Sequence, residues 1–150
     1  MHYRLENERD IVPLARTLIL SLREKKEKQG TLPVVGLIGE LGAGKTALVK
    51  TLARELGAAE EITSPTFLIM RELELPSSAP ADTLVHVDAY RLDSADELIR
   101  LGVTEKMEHG NSLVIVEWAD RVRELIPSKS LMITISITGP TSRNVETHIA

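Results

Sequence analysis

Apolar residues recur along the chain with two different periods, and the alternation between them sets out the elements. Ile11, Leu14, Ala15, Leu18 and Leu22 fall three or four apart, which predicts a helix from Ile11 to Lys28. Asp10 is placed to cap it, and Pro13 falls in its first turn, where a missing N–H costs little. The mixed charges of residues 23–28 read as a solvated last turn, and Gly30 ends the helix before a buried strand from Leu32 to Ile38. A second stripe, Leu48, Leu52 and Leu56, predicts a helix with Lys50, Arg54 and Glu55 facing outward and Gly57 closing it.

Thr66 to Leu75 and Thr83 to Asp88 read as strands joined by a Pro- and Ser-bearing loop with no helix, so they pair antiparallel. Ser94-Ala95-Asp96-Glu97 has the form of a capping box for a short helix that carries Leu98, Ile99 and Leu101 and stops at Gly102. A second short helix or turn, Thr104 to Glu108, ends at Gly110. The apolar run Leu113-Val114-Ile115-Val116 predicts a strand buried on both faces, and Trp118 to Leu125 a helical stretch halted before Pro127. Leu131, Ile133, Ile135 and Ile137 alternate with Met132, Thr134, Ser136 and Thr138, and Val145, Thr147 and Ile149 follow a Gly139-Pro140 turn, so the chain ends in a hairpin.

The 150 residues suffice for one domain, 1–150, with a core of its own. There are no cysteines, which excludes disulfides, cysteine-ligated zinc and a thiol nucleophile. No stretch approaches the ~20 apolar residues of a membrane span, and MHYRLENERD lacks the apolar centre of a signal peptide, so a cytoplasmic protein with no membrane partner is expected. A net charge of -4 argues against stable DNA binding held by phosphate contacts.

Between the second strand and the second helix lies Gly39-Glu40-Leu41-Gly42-Ala43-Gly44-Lys45-Thr46, a G-x-x-x-x-G-K-T phosphate-binding loop in the strand-to-helix context the motif requires. Its glycines let successive backbone N–H groups converge on one anion, and the helix adds its positive end. Lys45 then reaches the outer phosphates, and the Thr46 hydroxyl is placed for Mg2+. Such a site needs a carboxylate at a neighbouring strand end, and two are available, Asp88 after Leu84-Val85-His86-Val87 and Glu117 after Leu113-Val114-Ile115-Val116. A first-turn helix carboxylate is the ordinary alternative for either.

Thr66 in Ser64-Pro65-Thr66-Phe67 fits both a sensor of the terminal phosphate and a plain extended turn. Trp118, the single tryptophan, is either a core aromatic or a lid beside the site. His2, His86, His109 and His148 show no ligand spacing and read as structural or surface residues. No Asn-Lys-x-Asp or Asp-x-x-Gly occurs, which favours ATP over a guanine nucleotide, and no arginine-rich lid of a small-molecule kinase is evident.

G-E-L-G-A-G-K-T, S-P-T-F, H-V-D-A-Y-R and V-E-W, in this order, resemble the TsaE (YjeE) family of bacterial P-loop ATPases, over nearly the whole chain. The resemblance implies an α/β fold, a P-loop NTPase-like three-layer sandwich whose mixed, mostly parallel sheet includes antiparallel strands. It also implies ATP hydrolysis in support of threonylcarbamoyladenosine formation at position 37 of tRNA, with TsaD and TsaB as protein partners and tRNA engaged indirectly. By position, Lys45 corresponds to the phosphate-binding lysine and Thr46 with Glu117 to the magnesium ligands. Asp88 corresponds to the carboxylate that orients water, Thr66 to a switch threonine, Trp118 to an aromatic beside the nucleotide and Arg143 to a late arginine near it. The segment around Asp10 and Ile11 would border the adenine. The expected function is thus an ATPase that is weak without its partners. A small-molecule kinase and a non-catalytic nucleotide-dependent binding module remain as alternatives.

Overall fold

A computed structural model describes residues 1–62 and 68–150. Thr66, and the start of the strand expected from it, lie outside the described residues. The element order is β1 (His2–Leu5), a 3-10 turn (Glu8–Asp10), α1 (Ile11–Gln29), β2 (Val35–Ile38), α2 (Lys45–Glu55), β3 (Met70–Glu74), β4 (Thr83–Asp88), α3 (Asp96–Arg100), α4 (Val103–Glu108), β5 (Ser112–Glu117), a 3-10 segment (Ala119–Leu125), β6 (Leu131–Ile137) and β7 (Arg143–Ile149).

Among the described residues these strands form one sheet in the order β1-β7-β6-β2-β5-β4-β3. Its centre, β6-β2-β5-β4, is parallel throughout. The two flanks are antiparallel: β3 folds back on β4, and β7 returns along β6 and is in turn paired by β1. The strand pair and the terminal hairpin therefore stand as the sequence predicts. β1 is an addition, since four residues with one buried side chain give no apolar run to detect.

Helices cover both faces. On one, Leu14, Leu18 and Leu22 of α1 and Leu48 and Leu52 of α2 pack with Leu37, Leu84, Ile115 and Ile133. On the other, Leu98 of α3, Val103 of α4 and Val122 pack with Val85, Val87, Val114 and Val116. Side chains alternate across a strand, so His86 and Asp88 share the face of Leu84, and Glu117 shares that of Ile115. All three polar positions thus project to the side on which α2 lies.

Four local expectations are corrected. Asp10 stands at the N-cap position of α1 but its side chain does not cap it: the residue also closes the 3-10 turn, whose cap is Asn7, and its carboxylate accepts from the Glu6 and Asn7 N–H groups at 2.8 and 3.1 Å. The box at Ser94 is shifted, because Glu97 reaches back to the Asp93 N–H at 3.0 Å and α3 starts only at Asp96. The stretch after Glu117 is a 3-10 segment interrupted at Val122 (φ -133°), and Trp118 precedes it in a left-handed conformation. Glu55, expected on the outer face of α2, is half-buried and takes a 2.7 Å ion pair from Arg16 of α1.

Candidate functional site

The loop between β2 and α2 opens at the carboxyl edge of the parallel centre. Gly39 is obligatory there for space as well as for its φ of 156°, because a Cβ would collide with the Ile135 carbonyl oxygen of β6. Gly44, at φ 108°, turns the chain into α2. No side chain caps α2 and its first turn holds no acidic residue, so its amino-terminal N–H groups and positive dipole end are available to an anion. Glu40 and Leu41 are exposed and bring only backbone to the loop.

Lys45 is buried at the start of α2, and its Nζ donates to the carbonyls of Gly39 at 2.7 Å and Glu40 at 2.9 Å. The same amine lies 3.8 Å from the centroid of the Trp118 ring, a cation–π contact. Burial lowers its pKa below the ordinary 10.5, against the opposing pull of the Glu117 and Asp88 carboxylates. The lysine is therefore held across the loop by the loop's own carbonyls.

Thr46 Oγ1 donates to Glu117 Oε2 at 3.0 Å. A hydroxyl that donates once keeps its lone pairs for a cation, and the carboxylate keeps the rest of its own. Among the described residues no three His, Cys, Asp or Glu side chains form a metal cage. An all-oxygen pair of one hydroxyl and one carboxylate instead fits Mg2+ that is shared with phosphate oxygens. Asp88 lies opposite Glu117 in the β4–β5 register, and its Oδ1 accepts from the Tyr90 N–H at 3.0 Å. The Tyr90 and Trp118 rings are 4.8 Å apart, and among the described residues Trp118 alone has a positive φ without being glycine, at 59°. Such a conformation costs roughly 1–2 kcal/mol, and here it swings the indole under Lys45.

Arg143 lies against the loop, yet every hydrogen bond it makes here is to a backbone carbonyl: Ala43 at 3.1 Å, Gly42 at 3.2 Å, Gly139 at 3.1 Å and Ser142 at 2.9 Å. The N–H that follows the Gly42 carbonyl, that of Ala43, donates to the Glu40 carbonyl at 3.1 Å, so the guanidinium and this turn together fix the loop backbone. Beside this clamp is an open cavity of about 290 Å³ lined by Ile11, Leu14, Ala47, Ile135, Pro140 and Arg143, with Ala43 and Gly44 at its loop end. Ile11 is among the residues that line this cavity; Asp10 is not, and serves the turn before α1.

The structure thus gathers Lys45, Thr46, Glu117 and Trp118 around the loop, aligns Asp88 with Glu117 and sets Arg143 behind the loop backbone. His86, read from the sequence as structural or surface, is buried with Nε2 2.7 Å from Glu117 Oε1, a contact the sequence reading did not anticipate. The signal was the period of two in His86-Val87-Asp88, which puts the imidazole on the functional face.

The family described as "Threonylcarbamoyl adenosine biosynthesis protein TsaE" matches residues 5–145. The chain belongs to the TsaE family. TsaE proteins of Treponema pallidum and Streptomyces coelicolor are 37% and 40% identical to it, each over 75% of this chain and over 78% and 74% of their own. The TsaE protein of Bacillus subtilis is 38% identical over 75% of this chain and 66% of its own. The crystal structure of Bacillus subtilis YdiB superposes with a TM-score of 0.68 at 29% identity, covering 100% of this chain and 86% of that one. The fold is therefore the P-loop-like TsaE fold, and the protein has a role in tRNA threonylcarbamoyladenosine biosynthesis. No described helix is long and apolar enough to cross a membrane.

Proposed function

We propose that the protein binds ATP with Mg2+ at the β2–α2 loop and hydrolyses it, supplying the ATPase step of threonylcarbamoyladenosine formation in company with TsaD and TsaB. The observation that carries this reading is the chain Lys45, Thr46, Glu117 at the mouth of an uncapped helix: a cation for the outer phosphates and an oxygen pair for the metal, joined by the 3.0 Å hydrogen bond.

In this reading the N–H groups of Gly42 and of Gly44 to Thr46 cradle the phosphates, that of Ala43 being held by the Glu40 carbonyl, and Lys45 exchanges its carbonyl partners for phosphate oxygens. Thr46 and Glu117 hold Mg2+, which when bound neutralises charge on the phosphate oxygens. Asp88 orients the attacking water and accepts its proton, Trp118 covers the phosphate side, and Thr66 senses the terminal phosphate. The adenine enters the apolar cavity beside Ile11 and Leu14, whose volume of about 290 Å³ lies at the lower end of the range for ligand pockets. Arg143 serves nucleotide binding through the loop it clamps. The self-satisfied Lys45 supports slow turnover by the chain alone, with the partners acting on the loop; tRNA is reached through them.

Phosphate release from ATP by the purified chain, with Lys45→Ala and Glu117→Ala beside it, tests the reading. Turnover that needs Mg2+ and both side chains supports it. Transfer of labelled phosphate to a metabolite instead of water would establish a kinase, and tight ATP binding with no turnover under any condition a nucleotide sensor.

A further inference from the structure

His86 is an expensive residue for the centre of a sheet. It is 2% exposed, its Nδ1 is buried with no hydrogen-bond partner among the described residues, and its Nε2 lies 2.7 Å from Glu117 Oε1. A buried ring nitrogen without a partner destabilises the fold where an aliphatic side chain would not.

The 2.7 Å approach fixes the tautomer. With the proton on Nδ1, lone pairs of Nε2 and of the carboxylate would face each other; with the proton on Nε2, the ring donates to Glu117. Glu117 is then held at both oxygens, Oε1 by His86 and Oε2 by Thr46. One restraint comes from β4 and the other from α2. In the register of β4 and β5, His86 stands beside Ile115, so its ring reaches diagonally to the residue two further along β5 on the same face.

We propose that His86 is a positioning residue for magnesium: its Nε2–H holds the Glu117 carboxylate in the one orientation that leaves Oε2 at Thr46 and open to the metal. This rests on the reading of Thr46 and Glu117 as the metal-binding pair. The imidazole touches neither nucleotide nor water and acts only through Glu117. Partners of this kind, donating to a ligating group from outside the metal's own shell, typically change metal affinity 10- to 100-fold when removed.

The test is the Mg2+ dependence of binding, not turnover. Calorimetric Kd values for a non-hydrolysable ATP analogue are measured with MgCl2 and with EDTA, and their ratio is the readout. Wild type is expected to bind tighter with Mg2+, and Glu117→Gln to lose that gain. His86→Leu is expected to lose about tenfold of the ratio while its Kd in EDTA stays within about twofold of wild type. His86→Gln, whose amide nitrogen reaches the place of Nε2, restores the ratio; His86→Asn, too short to reach Glu117, does not. In the Glu117→Gln background His86→Leu has no further effect. If His86→Leu does not fold, the Gln and Asn variants decide, and equal ratios in those two overturn the proposal. A His86→Leu protein with lowered thermal stability but a wild-type ratio overturns it as well, leaving the histidine a structural part only. A wild-type ratio equal to that of Glu117→Gln refutes the metal reading itself, and the role of His86 with it.

Discussion

The Thr46 hydroxyl donates to Glu117 Oε2 at 3.0 Å, which ties the first turn of α2 to the last residue of β5. Thr46→Val keeps the shape and removes the donor, leaving a buried carboxylate oxygen without its partner. Loss of about 1–3 kcal/mol in denaturant unfolding is expected. Because the same hydroxyl is read as a metal ligand, the Mg2+-dependent gain in ATP affinity should vanish in the same variant. Unchanged affinity in Mg2+ would separate the structural contact from the chemistry.

Asp88 differs from Glu117 in how it is held. Its Oδ1 accepts from the Tyr90 N–H, and an asparagine can keep that bond through its own carbonyl oxygen. Asp88→Asn should therefore leave the fold and ATP affinity within a few-fold of wild type. Hydrolysis should fall by roughly 10²–10⁴, the usual contribution of a positioned base. Single-turnover phosphate release beside a binding isotherm makes the comparison, and parallel losses in both would remove Asp88 from the water-orienting role.

Arg143 couples the Gly139–Arg143 turn to the carbonyls of Gly42 and Ala43. Its fork of donors serves several acceptors at once, which a lysine ammonium on a flexible stem does not reproduce. Arg143→Ala and Arg143→Lys should both weaken ATP binding, by about tenfold, roughly the equivalent of one lost hydrogen bond to a charged group. Full rescue by lysine, seen in the same isotherm, would mean that only the charge matters.

Burial holds Lys45 below the ordinary 10.5 in the folded protein, so the unfolded chain binds this proton more tightly. Between the folded value and 10.5, nucleotide-free stability should rise with pH through this group, with the penalty for burying the charge fully present below that window. Lys45→Met removes the term. The difference in unfolding free energy between wild type and Lys45→Met should therefore shift in favour of wild type as pH rises toward 10.5. A difference that is flat across alkaline pH would show that the lysine is not desolvated.

Much of the fold was legible because its determinants are local. Thr83 to Asp88 is the predicted strand to the residue, and the alternation from Leu131 gives a strand that stops at Ile137 before the predicted turn. The loop, its lysine and both carboxylates could be named because the motif and the abrupt ends of two apolar runs are sequence features. β1 was not legible, since its pairing with β7 is a contact made across the whole length of the chain. Nor was the 3-10 turn before α1: Asp10 keeps the N-cap position, but the turn, capped by Asn7 whose side chain accepts from the Arg9 N–H at 3.0 Å, diverts its carboxylate. Trp118 was placed beside the site by its neighbour Glu117, but its left-handed backbone and its contact with Lys45 depend on how β5 turns into the 3-10 segment. His86 was read as structural or surface, and it is buried; its contact with Glu117 was not legible, because spacing rules seek direct ligands whereas this partner lies on another strand.

The most direct test of the account is ATP hydrolysis by the purified chain in Mg2+, alone and then with TsaB, TsaD and substrate tRNA, with Lys45→Ala as the blank. The account predicts slow turnover above the blank that rises when the partners and tRNA are added. Tight ATP binding with no hydrolysis above the blank in either mixture would contradict it.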